Sequence, residues 1–374
     1  MDVWIFLRKR DKAFMHVLFL FASTGSGHVK AAEYVKQALK MQNPGICCSM
    51  ADVLNLCPLS VESFILKGFR FLISKFPHIY RFLYRFTENN ALFNYASGIL
   101  FSGSIKQLIR LCQESRVSSI VCTHPFALLF ASEIKKKLGE HSPITMGIIT
   151  DYRIHRFWLY HPIDMYFVPN EEMRAELLKL GWMNNQVYVT GIPCPIDITT
   201  ENTSNKYRKP FLLIAGGGWG LGSLEETATK LLQLQHAFSL LVVTGKNVSL
   251  HRKLKKLEPK SNERLIVKGT IPRLYDVMKN ASGIVTKPGG LTVTEAMILK
   301  KPLILLNPLP GAEEHNHRFL IEHNAAISFE DFLKNPDVIM NWEGVYSGCQ
   351  ALAAQSNSSL QIAEQILTKN SRGL

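Results

Sequence analysis

Short, continuously apolar segments alternate with stretches of helical periodicity along most of the chain. In the first half, the apolar segments occupy residues 17–21, 46–50, 119–122, 145–149 and 165–168. In the second half, they occupy residues 211–214, 240–243, 265–267, 283–285 and 303–306. Such runs, rich in Val and Ile, are typical of parallel strands that are covered on both faces. Helical stretches lie between them, so the pattern predicts a doubly wound α/β architecture in each half. These stretches include residues 29–39, 171–180, 224–235 and 291–299.

The stretch over residues 197–209 is the most polar and turn-prone part of the chain, which predicts a linker. A length of 374 residues fits about two domains of ~150 residues each. We therefore predict a first Rossmann-like domain over residues 1–197 and a second over 207–340, the two facing a central cleft. Residues 341–374 indicate a helical tail that packs back on the first domain.

The net charge says more about binding partners than the composition does. Hydrophobic residues make up 47% of the chain, an ordinary share for a protein with full cores, whereas the formal net charge is +13. This excess favours anionic partners, namely nucleic acid, acidic lipid surfaces or phosphorylated substrates, and the alternative is a generic basic surface. No nucleic-acid-binding motif accompanies the charge, so we expect no nucleic-acid partner.

The cysteines and the N-terminus bear on location. None of the seven cysteines forms a C-x-x-C pair, which fits a reducing cytosol and predicts no structural metal site. Cations at residues 8–10 before a short apolar run imitate a secretory signal, but Asp11 and Lys12 interrupt it. No stretch approaches the ~20 apolar residues of a spanning helix. We expect a peripheral protein on the cytoplasmic face of the cell membrane.

Glycine-rich turns follow apolar segments in both halves. The first half has Thr-Gly-Ser-Gly-His at residues 24–28, and the second has Gly-Gly-Gly at 216–218 and Lys-Pro-Gly-Gly at 287–290. A strand, a tight glycine turn and a helix N-terminus together present converging backbone N–H groups to a phosphate. The turns therefore predict two domains that bind one phosphorylated ligand.

Titratable side chains accompany strand ends in the first half. His28 closes the first glycine turn, where a neutral imidazole can accept a proton, so it is a candidate general base. His124, Asp151 and His155 follow two other strands, at the edge where doubly wound sheets bind ligands. The alternative for each histidine is a structural role as a cap or hydrogen-bonding partner.

Acidic and amide side chains occupy the corresponding places in the second half. Glu295 lies one turn inside the helix that follows residues 287–290, where both carboxylate oxygens can reach a ribose diol. Glu313, Glu314 and Asn316 follow the next strand, and such side chains suit sugar hydroxyls. The second half therefore resembles the side of a site that holds a sugar nucleotide.

A basic, aromatic segment between residues 59 and 110 interrupts the α/β rhythm. Its helical spacing places aromatic residues on one face, and we expect Pro77 to end that helix. A basic helix with an aromatic face suits an anionic lipid surface, whereas a core helix with snorkelling cations is the alternative. The predicted membrane-contacting residues are Phe64, Lys67, Phe69, Arg70, Phe76, Arg81, Phe82 and Arg85.

These motifs resemble those of the monogalactosyldiacylglycerol synthases and the bacterial processive diacylglycerol glucosyltransferases, in glycosyltransferase family twenty-eight with the GT-B fold. In the first half, the similar features are Gly-Ser-Gly-His, Thr-His-Pro at residues 123–125 and Thr-Asp…His…Trp at 150–158. In the second half, they are Gly-Gly-Gly, Val-Lys-Gly at 267–269 and Thr-Lys-Pro-Gly-Gly-Leu-Thr at 286–292. The resemblance covers roughly residues 15–330, in the family's order.

The resemblance implies an inverting transferase that moves a hexose, glucose or galactose, from a UDP-sugar to diacylglycerol or a glycosyldiacylglycerol. It implies no metal and no cofactor besides the UDP-sugar substrate, and we assign catalysis to His28 and Asp151. The acceptor-binding residues that follow are Gly27, His124, His155 and Trp158. The donor-binding residues are Gly217, Gly218, Thr244, Val267, Gly269, Lys287, Gly289, Gly290, Thr292, Glu295, Glu313, Glu314 and Asn316. Among these, the family assigns the backbone of 267–269 to uracil recognition.

One departure leaves the sugar open. Family members commonly carry Pro-Gly-Gln-Glu, and this chain has Ala312 in place of the glutamine. In the family, that glutamine would contact donor-sugar hydroxyls. Two other functions also stay open at this stage. One is an N-acetylglucosaminyltransferase that acts on a lipid-linked peptidoglycan precursor. The other is a non-catalytic regulator that binds a UDP-sugar at a membrane.

Overall fold

The computed structural model describes residues 15–58, 68, 71–72, 75–88, 101–196, 210–234, 238–342 and 356–371. These residues form two compact units, each built on one six-stranded sheet. The first unit combines His28–Ile196 with the strand that precedes it and with Asn357–Leu374, and the second comprises Asp197–Ser356, with which Gly25–Gly27 is grouped. Every pair of neighbouring strands is parallel.

In the part of the first unit that the structure describes, six strands and five helices precede residue 197. The strands are β1 (His16–Phe21), β2 (Cys47–Asp52), β3 (Ser119–Cys122), β4 (Ile144–Ile148), β5 (Met165–Val168) and β6 (Val187–Val189). The helices are α1 (Ser26–Gln42), α2 (Pro77–Glu88), α3 (Ser102–Glu114), α4 (Pro125–Leu138) and α5 (Glu171–Lys179). The strand order across the sheet is β2-β1-β3-β4-β5-β6.

The apolar character of β1 explains its central place. Leu18 and Leu20 pack into one hydrophobic cluster, whereas Val17 and Phe19 pack into another. Alternate side chains of a strand point to opposite faces of the sheet, so the two clusters are the two covered faces. A strand that is apolar at every position can lie only where both faces are buried.

The second unit repeats the architecture. Its strands are β7 (Phe211–Ala215), β8 (Ser239–Val243), β9 (Leu265–Lys268), β10 (Gly283–Thr286), β11 (Leu303–Leu305) and β12 (Ile327–Ser328). Its helices are α6 (Leu224–Gln233), α7 (Val248–Lys255), α8 (Leu274–Asn280), α9 (Gly290–Ile298), α10 (Ala312–Glu322) and α11 (Phe329–Lys334). The strand order is β12-β11-β10-β7-β8-β9, and the predicted fold of two doubly wound units is confirmed.

The segmental predictions differ from the structure at a few places. All ten predicted strands form, while the three-residue β6 and the two-residue β12 were not predicted. The described helical residues before Pro77 stop at Lys75, so a helix ends ahead of Pro77 as expected. Pro77 also begins α2, which was not predicted, since its fixed φ suits the first helical position. The predicted linker over residues 197–209 lies outside the described residues.

The last helix, α12 (Ser358–Ser371), belongs to the first unit. Ile362, Ala363 and Ile366 are fully buried in the cluster that also contains Val17 and Phe19. Its ends are tied by hydrogen bonds: the Ser359 hydroxyl donates to the Cys194 carbonyl, and the Ser119 hydroxyl donates to the Asn370 side chain. The C-terminal residues therefore complete one face of the first sheet.

We expect Ile366→Ala to lower the free energy of unfolding of the first unit by about 2–5 kcal/mol, because it leaves a cavity in a packed face. Calorimetric unfolding of the full chain measures the change. Thr368→Ala, on the exposed side of α12, is the matched control and should stay within about 0.5 kcal/mol of the parent. Equal effects of the two substitutions would contradict this packing.

Candidate functional site

The strand order of each sheet reverses at one point, and the candidate residues follow the strands at that point. In the first unit the reversal lies between β1 and β3, and in the second between β7 and β10. Ligands of doubly wound sheets bind in the crevice at the carboxyl ends of such strands. The turns in question are residues 22–28 and 123–124 in the first unit, and 216–220 and 287–290 in the second.

His28 lies in the first turn of α1 and is held by the turn after β3. Its Nδ1 is 2.7 Å from the carbonyl oxygen of Thr123 and 3.1 Å from the hydroxyl of Thr150. A carbonyl oxygen only accepts, so we infer that Nδ1–H donates to it and that Nε2 carries the lone pair of the neutral ring. The local geometry therefore gives His28 the tautomer of a general base at Nε2.

His124 packs beside His28, with 4.5 Å between the ring centroids. Its Nδ1 accepts the N–H of Phe126 and caps α4, which leaves Nε2–H to donate to the hydroxyl of Thr24, 3.0 Å away. Burial, together with the neighbouring His28, lowers the pKa of His124 well below its usual 6.5. His124 is therefore a neutral support for the turn rather than a second cation.

The other predicted residues of the first unit occupy different places. Trp158 is almost fully buried, and its ring centroid lies 6.4 Å from that of His28. His155 is buried too: it caps the turn over Arg156–Trp158, and its Nε2 lies 3.1 Å from the carbonyl of Tyr84 in α2. Gly27 and Asp151 are half-buried at the same edge as His28.

In the second unit, α9 begins at the turn after β10 without a side-chain cap, so its first N–H groups have no intrahelical partner. Lys287 lies against this turn and against Gly217: its Cε is 3.3 Å from where a Gly217 Cβ would be. The Lys287 ammonium is paired with Glu313, whose other oxygen accepts the Leu309 N–H. A cation and uncapped N–H groups thus converge where a diphosphate is predicted.

Several predicted donor residues support this edge from beneath. Asn316 is fully buried and donates to the Pro288 carbonyl at 3.1 Å, which fixes the turn before α9. Thr244 is fully buried and donates to the Lys268 carbonyl. Glu314 accepts the Gly311 N–H and caps α10. Asn316 and Thr244 are thus enclosed by the fold, whereas Glu314 is half-buried.

Two further sets of predicted donor-binding residues lie on α9 and at the end of β9. Glu295 is buried inside α9, as its place one turn into the helix requires, whereas Thr292 is half-buried. On β9, the Val267 N–H donates to the Glu258 carboxylate at 2.5 Å, and the Gly269 carbonyl accepts from Gly245. The backbone of 267–269, predicted to read uracil, therefore has its Val267 amide already engaged.

Sequence reasoning missed the groups that hold the histidines and the β9 edge. The Thr-His-Pro and Thr-Asp turns were noticed for their titratable residues, although Thr123 and Thr150 contact His28 directly. Thr24, the partner of His124, stood unnoticed inside the first glycine turn. No local sequence signal identifies Glu258. Its hydrogen bond with the Val267 N–H depends on how the short 3₁₀ helix over Glu258–Lys260 folds against β9.

The aromatic segment is described only in part. Phe64, Lys67, Phe69 and Arg70 lie outside the described residues, and the same is true of the side chain of Arg85. Phe82 is 67% exposed, Ile79 49% and Phe76 45%, while Arg81 is half-buried. Three large apolar side chains, Phe76, Ile79 and Phe82, are thus exposed close together in sequence at the start of α2. Within the described residues, no helix has the length and apolarity needed to cross a membrane.

Two family models match consecutive parts of the chain. The model described as monogalactosyldiacylglycerol (MGDG) synthase matches residues 28–194. The model described as glycosyltransferase family 28 C-terminal domain matches residues 211–340. The first match begins at His28 and covers β2 to β6, so β1 and residues 24–27 precede it, and the second match covers both glycine turns of the second unit.

Relatives from Bacillus carry the name processive diacylglycerol beta-glucosyltransferase. That of Bacillus cereus (strain AH187) is 30% identical over 335 residues, covering 84% of this chain and 82% of the relative. The chain belongs to the family of monogalactosyldiacylglycerol synthases and processive diacylglycerol glucosyltransferases. A member from Bacillus cytotoxicus is 28% identical over 368 residues, covering 93% of this chain and 88% of its own. The family resemblance drawn from the motifs is confirmed.

Solved structures of low sequence identity share the GT-B fold. The Staphylococcus aureus MnaA–UDP co-structure has a TM-score of 0.58 at 16% identity and covers 90% of this chain and 91% of its own. Acinetobacter baumannii MurG has a TM-score of 0.54 at 17% identity, with coverages of 95% and 99%. At such identities the likeness shows the fold alone.

The lowered pKa of the half-buried His124 gives stability a pH dependence. Its folded-state pKa lies below the unfolded value, so the unfolded chain binds the extra proton and stability falls as pH drops below about 6.5. We expect His124→Asn, which keeps a capping acceptor, to flatten this loss by about 1 kcal/mol between pH 6.5 and 5.5. Denaturant unfolding across this range measures it, with the exposed His141→Asn as control. Parallel stability curves for parent and His124→Asn would contradict the assignment.

Proposed function

We propose that this protein transfers a hexose from a UDP-hexose to diacylglycerol or a glycosyldiacylglycerol, with inversion at the anomeric carbon. The two family matches cover most of the two units, and the groups at the switch point of each unit carry the proposal. The first unit supplies a histidine in a base-competent tautomer, and the second supplies a cation and uncapped N–H groups. Neither the peptidoglycan-precursor transferase nor the non-catalytic regulator is favoured by the named relatives.

On the donor side, the diphosphate binds at the N-terminus of α9 and the turn at 216–220. Gly289 and Gly290 bring backbone N–H groups close to phosphate oxygens because neither carries a Cβ. Lys287 supplies positive charge from the same edge, and its pairing with Glu313 holds it ready there. Thr292 and Glu295 follow on α9, where we place the ribose of the donor.

On the acceptor side, His28 Nε2 removes the proton of the lipid hydroxyl as the hydroxyl oxygen attacks the anomeric carbon. The new bond forms between that oxygen and the sugar, the bond from the sugar to the β-phosphate oxygen breaks, and UDP leaves with the electron pair. Attack opposite the leaving group inverts the anomeric configuration. The Thr123 carbonyl stabilises the imidazolium that forms, because it accepts the Nδ1–H throughout.

The α2 segment provides the contact with the membrane. We place Phe76, Ile79 and Phe82 in the interface of an anionic leaflet, with the exposed Lys75 and the half-buried Arg81 over its headgroups. His155 ties α2 to the turn over Arg156–Trp158 through Tyr84, whose ring lies 4.1 Å from the His155 ring. A lipid acceptor in the cytoplasmic face of the membrane would then reach the sheet edge that carries His28.

The direct test is a transfer assay with purified protein and vesicles of diacylglycerol and phosphatidylglycerol. UDP-glucose and UDP-galactose are supplied in parallel, and thin-layer chromatography identifies the lipid products. A glycosyldiacylglycerol from either donor supports the proposal and names the hexose. Binding of UDP without any lipid product would overturn it in favour of a regulator.

We expect His28→Ala to lower kcat by about 10²–10⁴ while UDP affinity stays near that of the parent, because the base acts only on the acceptor proton. Transfer kinetics and calorimetric titration of UDP measure the two quantities. The exposed His141→Ala is the control and should keep the parent's kcat. Near-parent turnover by His28→Ala would return His28 to a purely structural role.

Membrane contact is tested by sedimentation with phosphatidylglycerol vesicles. We expect Ile79→Ser with Phe82→Ser to weaken vesicle binding by at least about tenfold, since burying such side chains contributes about 1.5–3 kcal/mol each. Met183→Ser is a matched control, because Met183 is 61% exposed in the same unit but outside the segment. If the α2 variant sediments as the control does, this segment does not bind the membrane.

A further inference from the structure

The turn that follows β7 is locked to the loop that follows β8. The Lys246 N–H donates to the Gly218 carbonyl at 2.9 Å, and the Asn247 side chain donates to the Gly220 carbonyl at 3.2 Å. Gly220 has a φ of +56°, and a Cβ there would lie 2.1 Å from the Thr244 carbonyl oxygen. The close approach fixes the backbone of Lys246 beside the glycine turn at 216–220.

The side chain of Lys246 returns to the same turn. Its Nζ lies 5.2 Å from the centroid of the Trp219 ring, within the range of a cation–π contact. Trp219 is the residue between Gly218 and Gly220, so its half-buried ring holds an ammonium group at the rim of the predicted phosphate turn. Backbone and side chain of Lys246 are thus both tied to this turn.

The two lysines at this edge differ in their counter-ions. Lys287, on the β10 side of the turn, is paired with the Glu313 carboxylate. In the part of the chain that the structure describes, no carboxylate pairs with Lys246, which has the face of an aromatic ring instead. A ring face attracts a cation without neutralising it, so Lys246 contributes the uncompensated positive charge at the turn.

We infer that Lys246 binds the diphosphate of a nucleoside diphosphate at this turn, and that Trp219 is the positioning residue that holds its ammonium there. The inference rests on the proposed function, because it adds a second cation to the donor site placed at α9. Lys287 approaches the diphosphate from the β10 side and Lys246 from the β8 side. The binding energy that depends on Lys246 is electrostatic and is screened by salt.

Calorimetric titration of the full chain with UDP and with uridine tests this assignment. We expect Lys246→Ala to weaken UDP binding about tenfold at low salt, to leave uridine binding unchanged, and to differ less from the parent at 1 M salt, where the Debye length is about 3 Å. Lys246→Arg should restore affinity, since a guanidinium stacks on the same ring. Trp219→Leu should weaken UDP binding less than Lys246→Ala, and the double variant should bind no more weakly than Lys246→Ala alone.

Lys279 provides a matched control. Its Nζ lies 5.3 Å from the Tyr275 ring centroid in α8, a similar pair away from both glycine turns, and Lys279→Ala should bind UDP as the parent does. Parent-like UDP binding by Lys246→Ala would overturn the inference. An equal loss of UDP and uridine binding would overturn it too, because Lys246 would then only stabilise the loop. Failure of the parent itself to bind UDP would instead overturn the proposed function.

Discussion

Parallel strand direction is the constraint on which the rest of each unit depends. Because all neighbouring strands run the same way, every turn after a strand emerges at one edge of its sheet. The central strands β3, β7 and β10 are buried along their whole length and largely apolar, and the candidate residues lie in the turns that follow the central strands. The reversal of strand order then singles out two turns in each unit: those before α1 and α4, and those before α6 and α9.

The two edges solve different chemical problems. In the first unit, backbone carbonyl and hydroxyl groups orient neutral imidazoles, and burial keeps His124 uncharged beside His28. In the proposed function, that environment handles a proton. In the second unit, glycine turns, an uncapped helix N-terminus and two lysines gather positive potential. In the proposed function, that environment handles a phosphorylated leaving group. Two sheets of the same architecture thus carry unlike turns.

Much of this could be predicted from the sequence because the decisive signals are local. Apolar runs of three to five residues predicted ten of the strands, and glycine and histidine after them marked the turns. Pro77 shows the limit of such reasoning, since proline both follows one helix and begins the next, and only the first was predicted. The two-residue β12 is too short to form a pattern of its own.

The sequence does not show how deeply a side chain is buried or which hydrogen bonds it makes. Asn316 and Thr244 are fully buried and Glu314 is half-buried, and their side chains hydrogen-bond to Pro288, Lys268 and Gly311. Conversely, Thr123 and Glu258 act through contacts with residues far along the chain or across a turn. Such pairings follow from tertiary packing, and a sequence motif does not specify them.

The central claim is that the sugar nucleotide binds at the switch point of the second unit. Hydrogen–deuterium exchange of the full chain, with and without UDP, tests it most directly because it reports on backbone N–H groups. The account predicts that UDP slows exchange most in residues 216–220 and 289–293, where the glycine turns and the start of α9 lie. Unchanged exchange in both stretches at saturating UDP, or slowing confined to the edge that carries His28, would contradict it.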